Sequence, residues 1–325
     1  MIDFTDSTQV IAYADTTEWV QATKSTVQEA TLLSGGVVNY VWRLRLGDGS
    51  SVILKHFPPS LRVNPSFAFP QERIELQHTA LQAVASQFTQ ASWSAPSPYS
   101  YDPNNFVILE EDMKGVSLFN ILKEDNTQVA AEDLTWVSSA LVDFLGDIQS
   151  LIVPDLSLYA NSPLTPIMNG LFSRNLQLMT DWNIPDTQDW YDRAVACDLV
   201  AQSNFLYGDF WPSSILVDMD ARRISIIDWE LARTGHFGLD MTQMMANLAL
   251  MGQGNAFKSA WANTLLRSIV DAWKTTLKPI DTHAFDFEAA YIKRVVQLSQ
   301  TPHWRLDDVQ TTVLKLVAQV STTFA

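Results

Sequence analysis

Tyr207-Gly208-Asp209-Phe210-Trp211-Pro212-Ser213-Ser214 precedes one short apolar run, and Asp228-Trp229-Glu230 follows a second. The two runs, 215–217 and 224–227, flank the polar stretch 218–223, and this pattern predicts a β-hairpin. Such a hairpin places the loop before its first strand beside the residue after its second strand. Asp209 and Asp228, 19 residues apart in sequence, are therefore predicted to meet in one cleft.

Two carboxylates that converge in this way repel each other, so a cation between them is expected. Phosphoryl transfer requires one carboxylate to accept the proton of the substrate hydroxyl and others to hold Mg²⁺. Asp209 and Asp228 are spaced for these two roles. Each has an ordinary alternative, since Gly-Asp-Phe often forms a turn and an Asp after a strand often serves as a cap. The joint pattern favours the catalytic interpretation.

Near the N-terminus, a glycine pair and a strand lysine suggest a phosphate-binding region. Gly35 and Gly36 precede the alternating segment 40–46, and a strand, glycine turn and strand bring backbone N–H groups close to phosphates. Ordinary turns also contain such pairs. Segment 51–57 predicts another strand, on which Lys55 points into an apolar layer and needs an anionic partner. Nucleotide phosphate would supply it; the alternative is an edge-strand lysine that extends to water.

The remaining pattern predicts an α+β, two-lobed, protein-kinase-like fold. Its N-lobe (1–111) is a small antiparallel sheet, and its C-lobe (112–325) is larger and mostly helical. The boundary is placed at the polar connection 110–115, which follows a short buried strand at 106–109. Helices are predicted over 17–24, 72–85 and 134–148, through much of 160–204, and in the tail from 256.

Composition limits the class of protein. A chain of 325 residues with 47% hydrophobic residues can form two lobes with real cores. No export signal or membrane span is visible, and Cys197 is the only cysteine, so no internal disulfide can form and a cytoplasmic location is expected. The helical pattern around Cys197 favours a buried thiol over a nucleophile. The sequence carries no indication of oligomeric state.

The formal net charge of −15 is uneven along the chain. Residues 1–110 contain 6 Lys and Arg against 10 Asp and Glu, and the remainder contains 15 against 26. This acidity argues against binding to nucleic acid or to an anionic membrane, and it favours a cationic small molecule such as an amine. The alternative is that the acidity only serves solubility.

Taken in order, these motifs resemble the aminoglycoside phosphotransferase and choline kinase superfamily. The resemblance is greatest to the methylthioribose-kinase-like branch, which includes fungal 4-hydroxytryptamine kinases. The segments that carry it lie between about 33 and 245 and include Leu33-Ser34-Gly35-Gly36-Val37-Val38-Asn39, Val52-Ile53-Leu54-Lys55-His56, the Asp209 loop, and Ile227-Asp228-Trp229-Glu230-Leu231 running on to Gly238-Leu239-Asp240.

The resemblance implies ATP and Mg²⁺ as cofactors and assigns a role to each motif. Asp209 would be the catalytic base, Lys55 the phosphate anchor, and Asp240 a brace for the catalytic loop. The implied metal ligands are Asp228, Glu230 and Ser214, and the implied nucleotide-binding residues besides Lys55 are Gly35, Gly36, Asn39, Glu75, Glu110 and Asp112. Candidate substrate contacts are Trp211 and Trp229 in the catalytic motifs, with Trp182, Trp190, Tyr191 and Trp304 as further aromatic candidates.

Three positions depart from the family pattern. Tyr207 replaces a scaffolding histidine, and Ser214 stands where the metal-binding asparagine is expected. Gln77 occupies the helix position of the glutamate that pairs with the lysine, and Glu75 could substitute if the helix is rotated.

The expected function is ATP- and Mg²⁺-dependent phosphorylation of a hydroxyl on a small, amine-bearing metabolite such as a hydroxytryptamine, or on methylthioribose or a similar compound. A protein kinase is disfavoured because 230–240 passes directly into helix-like sequence without a separate activation segment. The alternative from another class, raised by Ser214 and Gln77, is a nucleotide-binding pseudokinase or regulatory module.

Overall fold

The fold is known from a computed structural model that describes residues 2–34, 36–89, 92–123, 135–160, 162–200, 204–278, 281 and 284–324. The strands are β1 (Val27–Leu32), β2 (Tyr40–Leu46), β3 (Ser51–His56), β4 (Ser60–Leu61), β5 (Asn64–Ala68), β6 (Trp93–Ser94), β7 (Pro98–Asp102), β8 (Val107–Glu111), β9 (Val116–Ser117), β10 (Phe205–Leu206), β11 (Ile215–Asp218), β12 (Arg223–Ile226) and β13 (Arg233–Thr234). The helices are α1 (Ser7–Ala14), α2 (Glu18–Ala22), α3 (Arg73–Gln87), α4 (Leu118–Ile121), α5 (Thr135–Ile148), α6 (Leu156–Ala160), α7 (Thr165–Asp181), α8 (Thr187–Cys197), α9 (Gly238–Met251), α10 (Ser259–Thr276), α11 (Phe287–Ser299), α12 (Val309–Ala318) and α13 (Val320–Phe324).

An antiparallel sheet in the order β1-β2-β3-β8-β7 forms the first part of the fold. Along β2, Trp42, Leu44 and Leu46 are buried, as the alternating pattern predicts. These side chains lie on one face of the sheet, and α1 packs against them. Helix α3 covers the other face, where Ile74 meets Phe57 and Ile108. Because β3 is the central strand of the sheet, Lys55 is not the edge-strand lysine that the alternative required.

The helical part is built around α9, which is buried along its whole length. Helices α10 and α11 pack on α9, and α5 packs on α10. The predicted two-lobed α+β architecture is confirmed, and so is the hairpin, formed by β11 and β12; the helix predicted over 134–148 is α5, and position 134 lies outside the described residues.

Some local features differ from expectation. The short helix predicted over 17–24 is present as α2, with Thr17 and Thr23 as its caps, but it is not the opening helix, because α1, which was not expected, precedes it. The hairpin is flanked by β9 on one side and by β6, in parallel, on the other. Residues Trp93 and Ser94 therefore pair with a strand of the C-terminal part, although they precede position 112, and the lobe boundary remains a prediction.

Cys197 is buried, as predicted, and no described helix is long and apolar enough to cross a membrane.

Candidate active site

Two short antiparallel ladders bring the predicted carboxylates together. Strand β10 pairs with β13, and β11 pairs with β12, so the loop between β10 and β11 lies beside the loop between β12 and β13. The first loop carries Asp209 and the second carries Asp228. Ile227 N, directly before Asp228, donates to the carbonyl of Ser214 at the end of the Asp209 loop over 3.0 Å. The convergence expected from the hairpin pattern is therefore present.

Asp209 is held from two sides. Gln243 of α9 donates from Nε2 to Asp209 Oδ1 over 3.2 Å, and Ser214 Oγ lies 3.4 Å from Asp209 Oδ2. The pKa of Asp209 is raised to about 7. Burial is the largest cause of this rise, and repulsion from Asp228 and Glu230 adds to it. A carboxylate whose pKa lies near neutral pH is suited to accept a proton and release it again.

The backbone just before Asp209 is held in place by Asp240 of α9. Its carboxylate accepts hydrogen bonds from the backbone N–H of Tyr207 over 3.1 Å and from that of Gly208 over 2.9 Å. The Tyr207 hydroxyl donates to the Ile227 carbonyl, directly before Asp228. The two loops are therefore tied to each other as well as to α9.

Asp228 leaves β12 in a left-handed conformation with φ of 62°. A short polar side chain tolerates this region better than most residues do, although it still costs energy. Its Oδ1 accepts from Lys55 Nζ over 2.6 Å, and the side chain remains 42% exposed. Asp228 thus combines a buried cationic partner with an oxygen that is open to the cleft.

Lys55 is buried, with 1% of its side chain exposed. Its ammonium donates to Asp228 and to Gln77 Oε1, the latter over 2.9 Å. Burial opposes the charge, but Asp228, Glu230 and Glu110 outweigh it and raise the pKa of Lys55. The alternative in which Glu75 replaces Gln77 is wrong, because Glu75 lies on the exposed face of α3. Helix α3 would have to rotate and expose apolar residues to bring it to Lys55.

Glu230 lies in a second buried cluster. Asn39 Nδ2 donates to both of its oxygens, over 2.8 and 2.9 Å, and Arg73 Nε donates to Oε2 over 2.9 Å. Arg73 also donates to the Asn39 side-chain oxygen. Both Glu230 oxygens accept hydrogen bonds, so a metal bound by Glu230 would share an oxygen with Asn39 or Arg73.

The other predicted nucleotide-binding residues differ in their surroundings. The Gly36 carbonyl accepts from the Arg62 guanidinium, and Arg62 N and Val63 N donate to the carbonyls of Val38 and Val37. The short hairpin of β4 and β5 therefore supports this glycine turn; Gly35 lies outside the described residues. At the end of β8, Glu110 is buried, whereas Asp112, just after β8, accepts from Arg43 of β2 and Ser51 of β3.

The aromatic candidates separate clearly. Trp229 cannot be a substrate contact, because it is fully buried among Trp93, Phe144 and Tyr207 and donates to the Ile226 carbonyl. Its hydrophobic neighbours in the core hold it there. Trp304 is also buried and donates to the Leu298 carbonyl.

Trp211 is partly exposed beside the Asp209 loop and packs on Phe119 and His303. Trp190 stacks on Arg193, with the guanidinium 4.3 Å from its ring, while Trp182 and Tyr191 pack on neighbouring parts of the helical lobe. Among the candidates, Trp211 therefore has the position best suited to meet a substrate at Asp209.

Residues 29–276 match the sequence model of the APH phosphotransferase enzyme family, which is more than half of the chain. The chain belongs to the APH family of phosphotransferases. It is thus an enzyme that transfers a phosphoryl group to a hydroxyl acceptor on a small molecule.

Three comparisons place this phosphotransferase among known proteins. It is 22% identical over 268 residues to the 4-hydroxytryptamine kinase of Psilocybe cyanescens, covering 73% of each chain. It is 22% identical over 249 residues to the methylthioribose kinase of Bacillus cereus (strain G9842), covering 67% of this chain and 59% of that one. Its fold is similar to that of an ethanolamine kinase from Plasmodium vivax, with a TM-score of 0.55 at 11% identity over 98% of this chain and 89% of the other. The last likeness supports the kinase-like fold.

Three site residues of the phosphotransferase were missed by sequence reasoning: Arg62, Arg73 and Gln243. Arg73 precedes Gln77 by four residues and Gln243 follows Asp240 by three, so helical spacing places each on the same face as a residue that was recognised. Periodicity could therefore have found these two. Arg62 carried no such indication, because its contact with Gly36 depends on how the β4–β5 hairpin folds back.

Gly208 provides a stability test of the catalytic loop. Its φ is +90°, and an added Cβ would lie 2.1 Å from the Leu231 carbonyl oxygen. We expect Gly208→Ala to lower the free energy of unfolding by about 3 kcal/mol or more, since both backbone strain and a backbone clash oppose it. Chemical denaturation followed by circular dichroism measures this change.

Gly49→Ala is the matched control, because Gly49 has a similar φ of +87° but open space around the added Cβ. It should cost only about 1 kcal/mol from backbone strain. Equal losses in the two variants would show that the contact with Leu231 does not constrain the loop.

Proposed function

We propose that this phosphotransferase uses ATP and Mg²⁺ to phosphorylate a hydroxyl of a small, amine-bearing metabolite. The observation that carries the proposal is the buried Lys55 paired with a partly exposed Asp228, whose loop is bonded to the loop of Asp209. This arrangement offers a cation for phosphate oxygens, a carboxylate for a metal and a carboxylate for a proton. The region 1–111 would supply the nucleotide-binding lobe and 112–325 the catalytic and acceptor-binding lobe.

The residues near Asp228 fit a magnesium ion that keeps water and phosphate ligands better than they fit a metal ion whose ligands are all protein side chains. Within the described part of the chain, no group of three or more His, Cys, Asp or Glu side chains gathers to hold a metal ion. Mg²⁺ in kinases is bound by one or two carboxylates together with waters and substrate phosphates. Asp228 would hold it with the help of Ser214, and when bound it would neutralise charge on the transferring phosphoryl group.

The chain's own side chains account for the remaining steps. Lys55 would bind phosphate oxygens from within the sheet, and the turn at Gly36 would cover them. Asp209 would orient the acceptor hydroxyl and receive its proton at a carboxylate oxygen. Gln243 would keep the Asp209 side chain in place through its bond to Oδ1. Catalysis would then consist mainly of positioning and charge stabilisation.

The acceptor class rests on charge and on aromatic surface. Trp211, Phe119 and His303 form an aromatic group next to the catalytic loop, and the net charge of −15 favours a cationic compound. Two of the relatives are named for 4-hydroxytryptamine and methylthioribose. We therefore propose a hydroxytryptamine, methylthioribose or a similar metabolite as the acceptor, and a cytoplasmic location in keeping with the single buried thiol.

A phosphorylation screen tests the proposal directly. Purified protein is incubated with Mg·ATP and, in separate reactions, with hydroxytryptamines, methylthioribose, choline, homoserine and aminoglycosides, and the products are read by mass spectrometry. We expect one class to gain a phosphoryl group in step with ATP consumption, and Asp209→Asn to remove this product. Nucleotide binding without turnover on the whole panel would instead support the pseudokinase alternative.

Ser214 tests the metal site separately. It is buried, and its Oγ lies 3.4 Å from Asp209. If its hydroxyl or a water bound to it completes the metal shell, Ser214→Ala should raise the magnesium concentration at half-maximal kcat/KM by about 5-fold. Ser214→Asn should keep or raise activity, because an amide oxygen is a good ligand for Mg²⁺.

Ser213→Ala is the control, since Ser213 occupies the same turn and is more exposed. It should leave the magnesium midpoint unchanged. An unchanged midpoint in Ser214→Ala as well, with mild harm from Asn, would identify Ser214 as only a turn residue.

A further inference from the structure

Besides Asp228, the buried ammonium of Lys55 contacts a neutral side chain, that of Gln77. Gln77 Oε1 accepts from Lys55 Nζ over 2.9 Å, and Gln77 Nε2 donates to Glu110 Oε2 over 2.7 Å. All three residues are buried, with Gln77 and Lys55 at 0% and 1% exposure and Glu110 at 5%. We propose that Glu110, acting through the Gln77 amide, is the buried counter-charge that positions Lys55.

The register of the sheet places Lys55 and Glu110 near each other. Strand β3 pairs with β8 so that Ile53 is opposite Glu110 and Lys55 is opposite Ile108. Lys55 and Glu110 therefore lie on the same face as diagonal neighbours, which are about 7–8 Å apart. The Gln77 amide on α3 contacts the charged ends of both side chains.

The direction of the amide follows from its two neighbours. The ammonium of Lys55 can only donate, and an ionised Glu110 can only accept. The reversed amide would place its NH₂ against the ammonium and its oxygen against the carboxylate, which is unfavourable on both sides. The Gln77 amide therefore points its oxygen at Lys55 and its NH₂ group at Glu110. In a buried environment such linked hydrogen bonds strengthen one another.

The other anions near Lys55 have competing partners. Asp228 is partly exposed and is the proposed metal ligand, and Glu230 lies 3.9 Å from Lys55 while it is bound by Arg73 and Asn39. Burial raises the pKa of Glu110 to about 7, and the charge of Lys55 opposes this rise. The two groups therefore favour each other's ionised forms.

This assignment rests on the nucleotide-binding role proposed for Lys55, so affinity for Mg·AMP-PNP is the first measurement. By titration calorimetry, Glu110→Gln should weaken binding about 10-fold, because the amide keeps the shape of the side chain but removes the charge. The double variant Gln77→Glu/Glu110→Gln places the carboxylate directly at Lys55 with the same pair of side chains. We expect its affinity to return to within about 3-fold of wild type.

Glu111→Gln is the control, because Glu111 is the next residue on β8 and is bound by Ser97 instead. It should bind as wild type does. Two results would refute the proposal that Glu110 positions Lys55 through Gln77. One is that Glu110→Gln binds Mg·AMP-PNP as tightly as wild type, and the other is that the double variant binds it no better than Glu110→Gln. A wild-type protein that does not bind Mg·AMP-PNP would refute the proposed function, and a ligand-free measurement then decides the Glu110–Lys55 coupling.

That measurement is a thermal-unfolding cycle of wild type, Glu110→Gln, Lys55→Met and the double variant Lys55→Met/Glu110→Gln. Without Lys55, Glu110 loses the charge that favours its ionised form and must either bind a proton or remain an unpaired buried charge, so replacing it with Gln should become more favourable. We expect the change in Tm caused by Glu110→Gln to be at least about 3 °C more positive in the Lys55→Met background. Equal changes in the two backgrounds would show that Glu110 does not serve Lys55.

Discussion

Replacing Asp209 with Asn is expected to lower kcat by about 10³-fold or more, because general-base catalysis of this kind contributes about 10²–10⁴-fold. ATP affinity should stay within about 3-fold of wild type, since the carboxylate would contact the acceptor hydroxyl and not the nucleotide. Initial rates with the acceptor found in the phosphorylation screen, together with calorimetry of Mg·AMP-PNP binding, measure both quantities. A variant that retains half of the wild-type kcat would rule out Asp209 as the base.

The pH dependence of the stability of Asp209→Asn tests the surroundings of Asp209 without a substrate. In wild type, the pKa of Asp209 is raised to about 7, so its folded form binds a proton more tightly than its unfolded form. The stability contributed by this proton is present below the unfolded pKa near 4 and is lost as the pH rises through 7. The asparagine side chain of the variant does not titrate.

In EDTA, the Tm of Asp209→Asn should therefore rise relative to wild type by about 3 °C between pH 5 and pH 8. Comparing the two proteins cancels other titrating groups, such as His56, whose pKa is lowered to about 4 by burial and by Arg73. A Tm difference that does not change with pH would mean that Asp209 is not in the desolvated, negatively charged surroundings described here.

Asp228→Ala is expected to remove magnesium-dependent nucleotide binding, with an affinity loss of about 100-fold or more. The change deletes both the proposed metal oxygen and the partner that Lys55 contacts over 2.6 Å. Calorimetry with AMP-PNP in Mg²⁺ and in EDTA separates the two contributions. The wild-type difference between these conditions should be absent in the variant.

Asp228→Asn serves as the companion variant, because its amide oxygen can still accept from Lys55 while the charge for the metal is lost. It should fold as wild type does and bind nucleotide weakly in both conditions. Tight, magnesium-dependent binding by Asp228→Ala would place the metal elsewhere.

The sequence determined those features that depend on local pattern. Alternation along 40–46 and the apolar segment 51–57 specified the two strands, and the two apolar runs around 218–223 specified the hairpin. Because hairpin geometry is local, the meeting of Asp209 and Asp228 also followed from the sequence. A lysine between apolar residues could be recognised as needing an anion, since burying an unpaired charge is costly.

The tertiary structure alone decided which partners these side chains have. Gln77 contacts Lys55, and Glu75 does not, because the rotation of α3 is set by the apolar residues it packs into the core. Trp229 is buried because β6, α5 and β10 close around it, and no property of a single tryptophan distinguishes a core residue from a binding residue. Arg73 and Asn39 reach Glu230 across 157 and 191 residues of chain. Contacts between such distant segments depend on how whole elements pack, and local periodicity carries no information about them.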